Sequence, residues 1–279
     1  MEDTKLEVKN LQISFSHEGN QVNAVRDVSF TLGQEKLAIV GESGSGKSTV
    51  GRSLLKLHPK NATVKAEKLQ FGDIDLLQAN DKTMQNIRGR RISMIMQDPK
   101  YSLNPVMKVG DQIAEAYLAH YKVSKKIAKE KAITMLEKVQ IRDPERVYSL
   151  YPHEVSGGMG QRVMIAMMLI PEPEIIIADE PTSALDVSVQ RQVLNLLDEL
   201  ISERNIGLIF ISHDLDLVRN YCDRVLVMYA GRVVESIKAS ELENAQHPYT
   251  QGLLKAPPRI GDIRNRLPTL QRDPSWLFN

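Results

Sequence analysis

Apolar positions along this chain fall into short runs separated by longer amphipathic stretches. Leu6-Glu7-Val8-Lys9-Asn10-Leu11 and Val25–Leu32 mix alternation with β-branched residues, which predicts two early strands. Lys36–Val40 is a compact apolar run, and Thr49–Leu57 beyond a glycine-rich segment has the pattern of a helix. Arg91–Met96, Ile175–Ala178, Ile206–Ile211 and Arg224–Met228 are further strand-like runs. The last three alternate with long helical patterns, so a largely parallel core covered by helices is expected.

Between Tyr101 and Ile170 the pattern is mostly helical. Ala114–Tyr121 and Ser124–Val139 carry apolar residues at three- and four-residue spacing, among them Ile127, Ile133, Leu136 and Val139. Lys125, Lys126, Lys129, Glu130 and Lys131 form a mixed-charge face, read as solvated rather than as a nucleic-acid contact. After about Ala245 the chain is rich in Pro and Arg with little periodicity, predicting a docking tail or a poorly ordered end. The expected division is a core of residues 1–100 and 171–244, a helical insertion of 101–170 and an extension of 245–279.

Composition narrows the function classes. The 279 residues suffice for one large α/β domain with an inserted subdomain and a tail. A formal charge of +1 gives no global basic field, so no nucleic-acid partner is expected. Six histidines and one cysteine exclude a disulfide framework and a Cys-rich zinc site, leaving Cys222 as a packing residue. Met1-Glu2-Asp3-Thr4-Lys5 lacks the apolar stretch of a secretory signal. The most apolar run, near Val163–Ile170, falls far short of the about 18 residues of a membrane span. A soluble chain able to dock onto a membrane protein is expected.

Candidate chemistry begins at Gly41-Glu42-Ser43-Gly44-Ser45-Gly46-Lys47-Ser48-Thr49, placed between a strand and a helix. This is a phosphate loop. Its glycines let backbone N–H groups curl around phosphate oxygens, Lys47 reaches the outer phosphates, and Ser48 offers an oxygen to Mg²⁺. Ile175-Ile176-Ile177-Ala178-Asp179-Glu180 is an apolar strand ending in two carboxylates. Asp179 suits the Mg²⁺ shell and Glu180 suits the polarisation of an attacking water, against the alternative of two acids capping a surface strand. Ser212-His213-Asp214 follows another apolar strand, where His213 can meet a γ-phosphate or be merely structural. Gln97 can bond both to the metal's water and to backbone and so report the presence of ATP, whereas Gln97-Asp98-Pro99 alone reads equally well as a turn.

Val155-Ser156-Gly157-Gly158-Met159-Gly160-Gln161-Arg162 precedes a helical run, with Ser156 in N-cap position. Glycine N–H groups at a helix N-terminus form a second anion surface, the alternative being a flexible turn with a cap. A head-to-tail dimer reconciles two such surfaces with one nucleotide. Ser156, Gly157 and Gly158 of each chain then close the phosphates held by the other chain's Lys47.

The order of phosphate loop, Gln97, Ser156-Gly157-Gly158, Asp179-Glu180, Ser183-Ala184-Leu185-Asp186 and His213 resembles the ATP-binding subunit of an ABC transporter. Met94-Ile95-Met96-Gln97-Asp98-Pro99, Ser102-Leu103-Asn104-Pro105, Tyr151-Pro152-His153-Glu154 and His247-Pro248-Tyr249-Thr250-Gln251-Gly252-Leu253-Leu254 resemble its oligopeptide/dipeptide/nickel importer branch. The resemblance implies an α/β P-loop ATPase core with a helical subdomain and a short C-terminal extension. It implies ATP and Mg²⁺ as ligands, with Ser48, Gln97 and Asp179 at the metal and Lys47, Gln97, Glu180 and His213 in catalysis. Phe15 would stack on adenine, with core packing as the other reading. Ser183–Asp186 would cross to the partner chain, and Tyr101 to Asn104 would line a groove for a membrane subunit.

The implied partners are a second ABC ATPase subunit, expected to be a paralogue, two transmembrane permease subunits and an extracytoplasmic substrate-binding protein. The implied place is the cytoplasmic face of the cell inner membrane, peripherally bound, and the favoured cargo is short peptides. Other readings are import of nickel, metal chelates or opine-like solutes, a nonhydrolytic nucleotide-sensing subunit, and a soluble nucleic-acid-associated ATPase. Two departures stand out. Gly160 replaces a long polar residue of close relatives, with an expected loosening of the helix packing there. The chain also has no Cys after Cys222, where longer relatives carry a segment resembling an iron–sulfur site.

Overall fold

The computed structural model describes residues 4–17, 20–97, 102–183 and 185–256, together with Asp273 and Trp276. In chain order come β1 (Leu6–His17), β2 (Asn20–Leu32), β3 (Lys36–Val40), α1 (Lys47–Leu54), β4 (Ala62–Lys65), β5 (Lys68–Phe71), β6 (Ile74–Asp75) and α2 (Asp81–Ile87). They are followed by β7 (Ile92–Ile95), α3 (Val109–Leu118), α4 (Lys125–Lys138), α5 (Pro144–Tyr148), α6 (Gly157–Leu169), β8 (Ile175–Asp179) and α7 (Val187–Glu203). The last are β9 (Gly207–Ser212), α8 (Leu215–Tyr221), β10 (Arg224–Tyr229), β11 (Arg232–Lys238) and α9 (Pro248–Lys255). Among the described residues no helix is long and apolar enough to cross a membrane.

The chain packs as two compact units, Met1–Asn80 with Ile209–Asn279, and Asp81–Leu208. In the first, the strand order is β6-β5-β1-β2-β11-β10-β3-β9, with β4 paired to β1. β3 and β10 run parallel, Leu37 beside Arg224 through Val40 beside Val227. Leu37–Val40 and Val225–Met228 are buried throughout, as strands covered on both faces require. The β1–β2 and β10–β11 pairs are antiparallel, so this unit is less uniformly parallel than the apolar runs predict. Half-buried β11 and the short strands β4, β5 and β6 lack the continuous apolar runs that mark β3 and β10. Register shifts along β1 and β2 keep Leu6, Val8, Leu11 and Ile13 facing the core.

Of the extension expected as a docking tail or a poorly ordered end, residues 245–256 are packed and partly helical. Ala245, Tyr249 and Thr250 are buried, α9 begins with Pro248 in its first turn, and Trp276 is 8% exposed. Burial of Tyr249 and Trp276 supplies the apolar area that holds this segment on the first unit.

In the second unit β7 and β8 pair in parallel, Ile92 beside Ile175 through Ile95 beside Ala178. α6 packs on α3, α4, α7 and β7, burying Val163, Met164, Ile165, Ala166 and Leu169. The helical region shares one compact unit, Asp81–Leu208, with the strands and helices that flank it. Ser124 caps α4, its Oγ accepting from the Ile127 N–H at 3.3 Å. The buried stripe of α4 is Ala128, Ala132, Met135 and Leu136, continued by Val139, while Ile127 is 43% exposed and Ile133 half-buried. Small alanines let the neighbouring helix approach, which leaves the bulkier isoleucines on the rim.

Candidate nucleotide site

In the first unit, β3 delivers the chain into the loop Gly41–Gly46, and α1 starts at Lys47 with Gly46 as N-cap at φ +98. An L-residue at position 46 would also place Cβ 2.5 Å from the Ala24 carbonyl oxygen, so only glycine fits. Lys47 is 6% exposed, and its Nζ donates to the carbonyls of Gly41 and Glu42, both at 2.8 Å. The Ser45 Oγ is buried and has no hydrogen-bond partner among the described residues. Around Gly44, by contrast, nothing among the described residues lies within 4 Å of where a Cβ would stand. Ser43 and Gly44 are exposed, while Ser48 and Thr49 are half-buried on the first turn of α1. A cation folded onto loop carbonyls and a buried orphan hydroxyl suit a phosphate group, which would draw the cation away and satisfy the hydroxyl.

Phe15 sits near the end of β1, half-buried, opposite Val22 of β2 and Ala62 of β4. Directly opposed residues share a face, so Phe15 and the 59% exposed Val22 make an apolar platform. His213 is exposed between β9 and α8. Asp214 caps α8 by accepting from the Leu217 N–H at 3.0 Å, and the Asp214 N–H donates to Ser212 Oγ at 3.0 Å. β9 neighbours β3 in the sheet, so His213 follows the strand next to the one that feeds the phosphate loop.

In the second unit, β8 ends on Asp179, which is 6% exposed. Glu180 follows at φ +48, a left-handed conformation for a residue with a Cβ. Such backbone costs about 1–3 kcal/mol and persists where surroundings over-determine it. The parallel register of β7 and β8, continued past the ladder, carries Gln97 beside Glu180. The Gln97 Nε2 donates to the Glu180 Oε2 at 3.3 Å. Asp98, Pro99, Tyr101 and Ala184 lie outside the described residues.

Ser156 is the N-cap of α6, its Oγ accepting from the Met159 N–H at 3.3 Å. Ser156 and Gly157 are exposed, and Gly158 packs so closely that an added Cβ would lie 2.9 Å from Val189 Cγ1. The helix runs unbroken through buried Gly160, whose N–H donates to the Ser156 carbonyl at 2.8 Å. Asp186 caps α7, accepting from Ser188 Oγ at 2.7 Å and from the Val189 N–H at 3.0 Å. Those hydrogen bonds, Ser188 first, hold its carboxyl below the usual carboxylate range.

Several residues at these sites were not singled out by sequence reasoning. Gln161 is 1% exposed and its Nε2 donates to the Pro181 carbonyl, tying α6 to the segment just after Glu180. The signal available was the polar pair Gln161-Arg162 at the glycine-rich start of an otherwise apolar helix. Buried Gln112 accepts from the Asn104 N–H at 2.8 Å and donates to the carbonyls of Asn104 and Met107, both at 3.0 Å. It thereby shapes the loop ahead of α3. Tyr249 accepts a hydrogen bond from the Glu42 N–H of the phosphate loop at 3.0 Å. Pro248 at a helix start was legible, but its contact partner was not.

Residues 25–183 match the sequence pattern described as ABC transporter. The chain belongs to that family. Among curated relatives, the ABC transporter chain is 50% identical over 258 residues to the oligopeptide transport ATP-binding protein OppD of Bacillus subtilis, covering 91% of this chain and 72% of that protein. It is 47% identical to the dipeptide transport ATP-binding protein DppD of the same organism, covering 98% and 83%. Among solved structures, cbiO1 from Clostridium perfringens superposes with a TM-score of 0.74 at 26% identity, covering 87% of this chain and 92% of that one. The ATP-binding cassette MJ0796, solved as a dimer bound to ADP and Pi, gives 0.72 at 25% identity, covering 84% and 98%. This ABC transporter chain is an ATP-hydrolysing transporter subunit with an α/β P-loop ATPase core. Membership implies the use of ATP and Mg²⁺, and the phosphate loop fits the former.

Proposed function

We propose that this subunit powers the import of short peptides from the cytoplasmic face of the inner membrane. It would be paired with a second, paralogous ATPase and bound to two permease subunits that receive cargo from an extracytoplasmic binding protein. The oligopeptide and dipeptide transport relatives, which align with nearly the whole chain, support the cargo class.

Lys47 would leave the Gly41 and Glu42 carbonyls for the outer phosphates, and Ser45 Oγ and the loop N–H groups would bond phosphate oxygens. Phe15 would stack on the adenine. Ser48, Asp179 and Gln97 would hold Mg²⁺ or its water, and the metal would supply charge neutralisation at the phosphate oxygens. Glu180 would take the proton of the attacking water, oriented by its bond with Gln97, while His213 would hold the γ-phosphate side of that arrangement. Ser156, Gly157 and Gly158 would close over a partner subunit's phosphates, using the N-terminus of α6. Catalysis on this reading is chiefly positioning and charge stabilisation.

The observation that carries the reading is the phosphate loop itself, with a buried Lys47 on loop carbonyls and an orphan Ser45 hydroxyl. Lys47→Ala should abolish ATP binding, and unchanged affinity would contradict the assignment. For cargo, the intact membrane assembly is co-purified with its binding protein and the held ligands are identified by mass spectrometry. Short peptides are the expected result. Nickel, a metal chelate or an opine-like solute would overturn that part.

A further inference from the structure

The peptide unit joining Gly41 to Glu42 is held at both ends. Its carbonyl accepts from Lys47 Nζ at 2.8 Å, and its N–H donates to the Tyr249 hydroxyl at 3.0 Å. Tyr249 comes from α9, 207 residues further along the chain, and is fully buried.

The tyrosine is itself firmly placed. His247 caps α9, its Nδ1 accepting from the Tyr249 N–H at 3.1 Å. The backbone N–H groups of Gln246 and His247 donate to the Glu235 carboxylate at 2.7 and 3.3 Å, anchoring the helix entry to β11. The Tyr249 ring packs 4.7 Å from Tyr229 and 6.0 Å from Trp276, centroid to centroid. Trp276 also meets Tyr229 at 5.7 Å and His247 at 5.6 Å.

That cluster reaches the phosphate loop by a second route. Tyr229 ends β10, and a Cβ on Gly41 would stand 2.2 Å from the carbonyl oxygen of the preceding Met228. Gly231, just beyond, donates its N–H to the Ser45 carbonyl at 3.1 Å. The loop is thus enclosed at Gly41, Glu42 and Ser45 by β10, by the turn after it and by one phenol from the C-terminal segment.

We infer that Tyr249 is a positioning residue for ATP binding. Its hydroxyl fixes the orientation of the Gly41–Glu42 peptide, and with it the carbonyl on which Lys47 waits. The aromatic cluster of Tyr229, His247 and Trp276 holds that hydroxyl in place, so the C-terminal segment sets the nucleotide affinity of the phosphate loop. The inference rests on the reading that this loop binds the phosphates of ATP. The Glu42 N–H is only partly buried, so on losing the phenol it can turn to water, and a freed peptide must be reordered each time phosphate binds.

The test is Tyr249→Phe in the full chain, which removes one oxygen and keeps the ring packing. Binding of ATP with Mg²⁺ is followed by calorimetry, hydrolysis by steady-state kinetics, and exchange of the Glu42 amide by NMR without nucleotide. The expected result is about tenfold weaker ATP binding, with the larger share of the kinetic loss in KM rather than kcat. The Glu42 amide should exchange faster while the melting temperature without nucleotide barely moves. Trp276→Leu, which leaves the hydroxyl but loosens its support, should give a smaller shift in the same direction. Wild-type affinity together with a wild-type Glu42 exchange rate would overturn the inference, as would a loss of binding explained by a lowered melting temperature. Lys47→Ala, run in parallel, separates the cases. If it loses ATP while Tyr249→Phe does not, only the role of Tyr249 fails; if it binds normally, the reading of the loop fails.

Discussion

Gln97 and Glu180, 83 residues apart in sequence, meet side chain to side chain, the Gln97 amide nitrogen donating to Glu180 Oε2 at 3.3 Å. The parallel register of β7 with β8 produces the meeting, and the left-handed backbone at Glu180 sets the carboxylate's direction. The bond from Gln97 fixes the direction of the carboxylate that would act on the water. Gln97→Ala should therefore lower kcat about 10- to 100-fold through lost orientation of the base. Because the contact is exposed, unfolding free energy should stay within about 0.5 kcal/mol of wild type. Steady-state ATPase rates beside urea denaturation check both halves; unchanged kcat would remove Gln97 from the account.

Gly110 lies in α3 where a Cβ would fall 2.1 Å from the Tyr148 ring. That ring is held by the hydrogen bond its hydroxyl donates to Asp111 Oδ1 at 2.8 Å. Burial, then this bond, push the phenol's pKa well above its ordinary value, so it stays a donor at all working pH. Gly110→Ala must displace either the ring or the helix, and should destabilise the protein by about 1–3 kcal/mol. Denaturant midpoints measure this, and a neutral or stabilising substitution would contradict the packing described.

Asp186 links stability to pH. Its carboxyl titrates below the usual range in the folded chain because Ser188 and the Val189 N–H bond the charged form. A depressed folded pKa means the contribution is complete above the unfolded value and is lost as pH falls through the folded one. Asp186→Asn keeps an acceptor for the cap and removes the titration. Melting curves of the two proteins should therefore converge as acid is added, and parallel curves over the acidic range would contradict the assignment.

Much of this was legible in the chain. Leu37–Val40 and Ile175–Asp179 are buried throughout, so apolar runs alone located the strands that carry the phosphate loop and Asp179. Ser156 was readable as an N-cap because helix starts have local chemistry. The short strands β4 to β6 were not, since only Leu69 and Phe71 among their residues are buried and none forms a sustained run. On α4 the periodicity pointed to Ile127, Ile133, Leu136 and Val139; the last two are buried, whereas in place of the isoleucines packing chose the alanines one position away. Tyr249 was unreadable for a different reason: its hydroxyl acts on a backbone N–H, which leaves no mark on the identity of residue 42.

The central claim is that ATP is closed between two ATPase subunits, Ser156 of one over the phosphates held by the other. Sedimentation of the Glu180→Gln chain, alone and with its paired ATPase subunit, tests it directly when run with and without ATP and Mg²⁺. The account predicts an ATP-dependent dimer that Ser156→Arg abolishes, with hydrolysis slowed about 10²- to 10⁴-fold by loss of the base. Monomers at saturating ATP in both mixtures, with hydrolysis still running at the wild-type rate, would contradict it.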